Sequence, residues 1–227
     1  MADVGFYDPP VMRVMLAYDP RFIISETMNI LELHAMSSVC RRFRPLFLQL
    51  IEDRVERFLC QYESLVLIQG ALNATGAMIS GNGVRLLLRC YWCPLSVARH
   101  PPLEIYCTDA LVDELIHWFT VHSDYETKHV TAYNPNHPEW YKGRTAVTYR
   151  LTRKSAPASR ITIRSTYDDS ALSPILRLDS TSMMNVLTAS SLYCLYPALH
   201  RERYGVNQYT GEIRPAVHVA GLLGHDN

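Results

Sequence analysis

The sequence lacks any run of about 18 apolar residues, so no transmembrane helix is expected. It also lacks an excess of either charge sign. Lys and Arg number 22, Asp and Glu number 22, and the formal net charge is zero. That balance argues against broad electrostatic capture of nucleic acid or membrane, while leaving room for a local basic patch. The opening MADVGFYDPP has no basic region followed by an apolar stretch, so no secretory signal is expected. No internal repeat and no low-complexity tract is found. The cysteines are Cys40, Cys60, Cys90, Cys93, Cys107 and Cys194. A chain of this size without a signal has no need of disulfide staples, and free thiols in a reducing compartment, cytoplasmic or nuclear, are the expected state.

What is present is a hydrophobic share of 48% over 227 residues. That is enough for one sizeable domain, or for a small helical module and a core domain. Pro9 and Pro10 open a helical stretch that Asp19-Pro20 breaks. A second runs through Ile30, Leu31, Leu33 and Val39. A third places Phe47, Leu50, Ile51, Val55, Phe58 and Leu59 on one face and Glu52, Asp53, Arg54, Glu56 and Arg57 on the other. Residues 1–61 are therefore expected to form a helical module. Leu65 to Ile68 and Ala71-Leu72 suit a short helix ending near Thr75-Gly76, and Ala77 to Ser80 a short buried strand. Gly81-Asn82-Gly83 reads as a tight turn and Val84 to Cys90 as a helix. Leu103 to Cys107 reads as a strand, and Asp109 as the cap of a helix carrying Leu111, Leu115, Trp118 and Phe119. Residues 122–143, rich in His, Asn, Pro and Tyr, read as an irregular connection. Thr145 to Leu151 and Arg160 to Ser165 alternate and suggest an antiparallel hairpin. Thr181 is expected to cap a last helix through Leu187, with residues 201–227 an extended tail. The order predicts an α+β protein with a small mixed sheet flanked by helices.

Several clusters have the composition of sites. Cys90-Tyr91-Trp92-Cys93, with His100 and Cys107, resembles half a zinc site, but a single C-x₂-C pair favours ordinary thiols. His117, His122, His129 and His137 share a region without a metal-ligand spacing, which favours solvated side chains. Asp168-Asp169 suits a turn. Arg41, Arg42 and Arg44 suit a solvated face around a buried Phe43. Met183-Met184 and the tyrosines Tyr193 and Tyr196 suit core and edge packing.

Two stretches resemble known families. Pro9 to Leu46, with Ser38-Val39-Cys40-Arg41-Arg42-Phe43-Arg44-Pro45-Leu46, resembles an F-box, which would imply a protein partner bound through residues 9–46. Residues 62–200 resemble fungal nucleotidyltransferase-fold proteins, through Thr75-Gly76-Ala77-Met78-Ile79-Ser80-Gly81-Asn82, Pro102-Leu103-Glu104-Ile105-Tyr106 and Asp179-Ser180-Thr181-Ser182-Met183-Met184-Asn185. The resemblance implies a nucleotide at Ser80, Gly81 and Asn82, and carboxylates holding Mg²⁺ at the strand positions of Pro102 and Glu104 and near Thr162. Two-metal transfer needs such carboxylates together. Here only Glu104 is acidic, and proline offers no ligand.

The expectation is a degraded nucleotidyltransferase-fold protein, non-catalytic, acting as a binding or scaffold module. It would carry no cofactor, with Mg²⁺ only if activity survives. Glu104 would be the one candidate catalytic residue, and its plainer reading is a carboxylate paired with Arg99 or Arg160. The alternatives are an enzyme with a rebuilt site, using Glu104 with Asp109, Asp168 or a histidine from the 117–137 region, and an F-box-like adaptor.

Overall fold

The computed structural model describes residues 27–39, 41–89, 101–132, 146–202, 204–207, 210–211 and 213–215. The expected helix after Pro9, the Cys90–Cys93 pair, His100 and His137 lie outside these. The described fold is mixed α+β, built on a seven-stranded mixed sheet. Helix α1 (Ile30–Val39) starts with a reciprocal cap. Asn29 Oδ1 accepts from the Glu32 amide at 3.0 Å, and Glu32 Oε2 accepts from the Asn29 amide at 2.7 Å. Two of the amide donors that a helix start leaves over are satisfied in this way. Helix α2 (Arg44–Leu59) carries a proline in its first turn, where the missing amide costs nothing.

Helix α3 (Leu65–Thr75) ends at Gly76, whose φ of 61° is the left-handed conformation that closes a helix. Strand β1 (Met78–Ser80) comes next, and then helix α4 (Asn82–Arg89). Strand β2 (Leu103–Thr108) leads through a 3₁₀ turn, Asp109–Leu111, into helix α5 (Val112–Val121). Three strands come after it: β3 (Tyr125–Ala132), β4 (Val147–Arg153) and β5 (Arg160–Thr166). Beyond them lie helix α6 (Leu172–Ile175), a 3₁₀ turn at Thr181–Met183, β6 (Val186–Leu187) and β7 (Leu192–Tyr193). Helix α7 (Pro197–Arg201) and a separate ribbon of β8 (Tyr204–Val206) and β9 (Ile213–Pro215) complete the described chain.

The sheet order is β3-β4-β5-β2-β1-β6-β7. Only β2 and β5 run parallel; every other neighbouring pair is antiparallel. Because side chains alternate along a strand, each strand serves two faces. Ile79, Leu103, Ile105, Cys107, Leu151, Ile161 and Ile163 join Ile68, Leu88, Leu115 and Phe119 in the main core. The opposite face holds Ser80, Glu104, Tyr106, Thr162 and Arg164, with Tyr106 packed against Ala171, Ile175 and Val186. Helices α1 and α2 have a small core of their own around Leu33, Phe47 and Leu50, while Ile30 and Leu59 join the main one. No helix among the described residues is long and apolar enough to cross a membrane.

Several expectations are corrected. Residues 125–132 form strand β3, not an irregular connection. The turn-forming residues of 133–143 dominated the composition of the window, whereas Tyr, Thr, His and Val in 125–132 suit a half-exposed edge strand. Helix α4 begins at Asn82, so Gly81 alone makes the turn. Asp109 opens a 3₁₀ turn, and no side-chain cap precedes α5. Ser180 rather than Thr181 is the cap, its hydroxyl accepting from the Ser182 amide. It opens a single 3₁₀ turn leading to β6 instead of a long helix. Pro197–Arg201 forms helix α7, and within the tail expected to be extended the described residues include the paired strands β8 and β9. Met184 is buried and Tyr193 lies exposed on the edge strand β7, in keeping with core and edge packing. Arg54 is buried on α2. It stands four residues after Leu50 and seven after Phe47, which is the buried face by helical spacing.

Candidate functional site

The chain between β1 and α4 has one residue in which to reverse, and Gly81 is that residue. Its φ of 79° lies where a side chain is strained. A Cβ there would come within 2.6 Å of Glu104 Oε1, so the backbone and the carboxylate meet directly. The Gly81 amide donates to the Met183 carbonyl at 3.2 Å. Ser80 is fully buried, and its hydroxyl lies 2.7 Å from the Asn185 carbonyl and 3.0 Å from that of Met183. Asn185 is buried as well and donates to the Ser182 carbonyl at 2.9 Å. Segments about a hundred residues apart, 75–82 and 179–185, are thus fastened to each other at this turn.

Strand register sets out the rest. Ser80, Glu104, Thr162 and Arg150 lie side by side across β1, β2, β5 and β4, one residue from each strand. The next row is Met78, Tyr106, Arg164 and Thr148. The position expected near Thr162 for a third acidic group therefore is the immediate neighbour of Glu104, but it holds a hydroxyl. Pro102 precedes β2.

Glu104 is engaged by its surroundings. Its Oε2 lies 3.3 Å from Arg164 Nη2 and accepts from the Tyr106 hydroxyl at 3.3 Å. The ion-pair partner is Arg164, not Arg160. Burial, followed by the negative charge of Glu104, pushes the Tyr106 phenol well above its ordinary range, so it stays a donor. Two buried polar atoms beside this arrangement, Arg164 Nε and Asn82 Oδ1, have no hydrogen-bond partner among the described residues. One is a donor in want of an acceptor, and the other is the reverse.

No protein-family model, curated protein or solved structure matches this chain. The chemistry open to the site is therefore set by its own groups. Among the described residues no three His, Cys, Asp or Glu side chains lie together as a metal site would require. The row offers one carboxylate, already paired with a guanidinium, which does not fit an octahedral set for a pair of Mg²⁺ ions.

Among the described residues, the groups considered for a rebuilt site do not join Glu104. Asp109 lies beyond the far end of β2, roughly 16 Å along an extended strand. Asp168 accepts from the Ser173 hydroxyl and faces Arg177. His117 and His122 are grouped with each other, and His122 also with Trp118, at the end of α5. His129 is exposed on β3. Cys107 is buried, and desolvation pushes its thiol up to about 12, which makes it inert.

Sequence reasoning missed Arg164, Tyr106 and Arg150 as neighbours of Glu104. The signal was there in part. Arg160, Thr162 and Arg164 alternate on β5 and so share a face with one another. Only the register tells which strand they stand beside.

Proposed function

We propose that the protein is a nucleotidyltransferase-like module that no longer transfers nucleotidyl groups and serves as a binding or scaffold unit. Nucleotide is the ligand class of its cleft beside Gly81 and Asn82. One observation carries the non-catalytic half. Glu104, the sole carboxylate in its row, is held by Arg164 and Tyr106, with a hydroxyl where a second acid would stand. A carboxylate paired with a guanidinium stays ionised, but its charge is already compensated and it draws a metal less strongly. The nucleotide half is supported by a left-handed turn opening α4, clamped by the 179–185 segment in the order of the motifs read from the sequence.

The test is thermal denaturation with ATP and Mg²⁺, together with an assay of nucleotide turnover. A native-state ligand raises the midpoint. The expected result is a small rise without turnover. Mg²⁺-dependent turnover that disappears in Glu104→Gln would overturn the non-catalytic reading, and no shift with any nucleotide would overturn the ligand class. An adaptor role through residues 9–46 has less support, since Ile30 and Leu33 are engaged in the chain's own core.

A further inference from the structure

The face of the sheet that carries Glu104 is basic. Leu151, Ile161 and Ile163 point into the main core, so Arg150, Arg160 and Arg164 point to the other side. Arg150 and Arg160 are exposed, and the Arg164 side chain is 38% exposed. Arg150 stands in the row of Glu104, one strand beyond Thr162, and Arg164 in the next row. Across β2, β4 and β5, therefore, this face sets three guanidinium groups against one carboxylate. That carboxylate is largely withdrawn from solvent, its side chain 17% exposed. It is seated against Gly81, with Arg164 Nη2 and the Tyr106 hydroxyl on one of its oxygens. Two of these are contacts an external oxyanion would seek, a guanidinium and a phenol donor, and they lie beside the glycine that precedes a helix. Arg164 Nε remains as a buried donor with no acceptor among the described residues, and a single carboxylate oxygen does not serve it.

We propose that this is a seat for a phosphate-class anion, occupied in the resting protein by the Glu104 carboxylate itself. Arg164 is the shared donor, and Arg150 and Arg160 attract the incoming anion. Glu104 is then an internal competitor, and binding requires its side chain to leave Gly81. A polyphosphate has oxygens enough to engage both Nη2 and Nε of Arg164, which the carboxylate does not do. The idea rests on the nucleotide reading of the cleft but makes an opposite demand of Glu104. If Glu104 served a metal, removing its charge would weaken binding; as a competitor, removing it strengthens binding.

The experiment is titration calorimetry with inorganic pyrophosphate in EDTA. Wild type, Glu104→Gln, Glu104→Ala and the double variant Glu104→Gln with Arg164→Gln are compared, with the thermal midpoint of each checked first. The expected result is weak binding by wild type and a gain of roughly tenfold or more in both single variants. The gain should vanish in the double variant. Having two single variants guards against one that fails to fold. Pyrophosphate binding that is no tighter in either folded single variant overturns the proposal, and so does a gain that survives loss of Arg164. These arms contain no metal and no nucleotide, so their failure is separate from any outcome with ATP and Mg²⁺.

Discussion

His200 allows a quantitative test of how the carboxyl-terminal elements hold to the rest. It lies on α7, is 4% exposed, and neither ring nitrogen has a hydrogen-bond partner among the described residues. Burial, and then the positive charges of Arg89 and Arg85 on α4, push its value down from 6.5 to about 4. A buried base with a depressed value binds its proton less readily folded than unfolded. Above the unfolded value neither state is charged and the group has no effect. As pH falls through 6.5, the unfolded chain takes up a proton that the native protein refuses, and stability is lost until about pH 4. With about 1.4 kcal/mol per unit, the full loss approaches ~3 kcal/mol, and about 1–2 kcal/mol of it has occurred by about pH 5 after allowance for residual solvation. Urea unfolding of wild type and His200→Gln at about pH 7 and about pH 5 measures it. Both proteins lose stability from other groups, so the quantity of interest is the difference between the two losses. Wild type should lose about 1–2 kcal/mol more than the variant. Equal losses would show that His200 takes up its proton as readily in the native protein as in the unfolded chain, and the reasoning from burial and cationic neighbours would fail.

The two left-handed glycines beside β1 should differ in what they tolerate. Gly81→Ala meets both a strained φ and the Glu104 carboxylate, and should cost ~2–3 kcal/mol by chemical denaturation. Gly76→Ala has the strained φ alone, with nothing within 4 Å of the new Cβ, and should cost ~1 kcal/mol; equal costs would remove the Glu104 contact from the explanation. In native protein an alkylating reagent should label exposed Cys60 and leave Cys107 untouched until denaturant is added, as monitored by peptide mass spectrometry. Comparable native rates at the two thiols would contradict the burial of β2. Tyr125→Phe removes a buried hydroxyl that donates to the Tyr62 carbonyl at 2.7 Å and lies 2.8 Å from Ser159 Oγ, and should cost ~1–2 kcal/mol in the same denaturation assay.

Where one physical signal decides an element, the sequence was enough to find it. The apolar spacing of α1 and α2, the glycine closing α3 and the alternation in β4 and β5 all stand in the fold as read. Difficulty arose where two signals overlapped. In 122–143 the turn formers of the second half hid the strand formers of the first. At Thr181 to Leu187 a capping residue before apolar residues described a helix, yet the chain turns once and pairs Leu187 with Ile79. Two residues of strand are too few for periodicity to reveal, and their stability comes from β1, far away in the chain. Arg54 was misplaced for a different reason. Its charge was given more weight than its position, although helical spacing put it with Leu50 and Phe47.

The site was legible as residue types and illegible as relations. Ser80, Gly81, Asn82 and Glu104 were named from the chain, and they do meet at one turn. Yet the partner of Glu104 was not found: Arg99 or Arg160 was expected, and Arg164, which shares a face with Arg160, was passed over. The parallel pairing of β2 and β5 settles that choice by placing Tyr106 beside Arg164 and Thr162 beside Glu104. A shift of one residue would turn Arg164 into the core and bring Ile163 to the carboxylate. Such a shift would bury a cation among Ile105, Leu115 and Leu151 and expose Ile161 and Ile163, so the apolar alternation of β5 is itself what holds the guanidinium against Glu104. The chemistry of this site is thus set by core residues that never touch it, and a lone acidic residue on a strand has no role that can be read before its register is known.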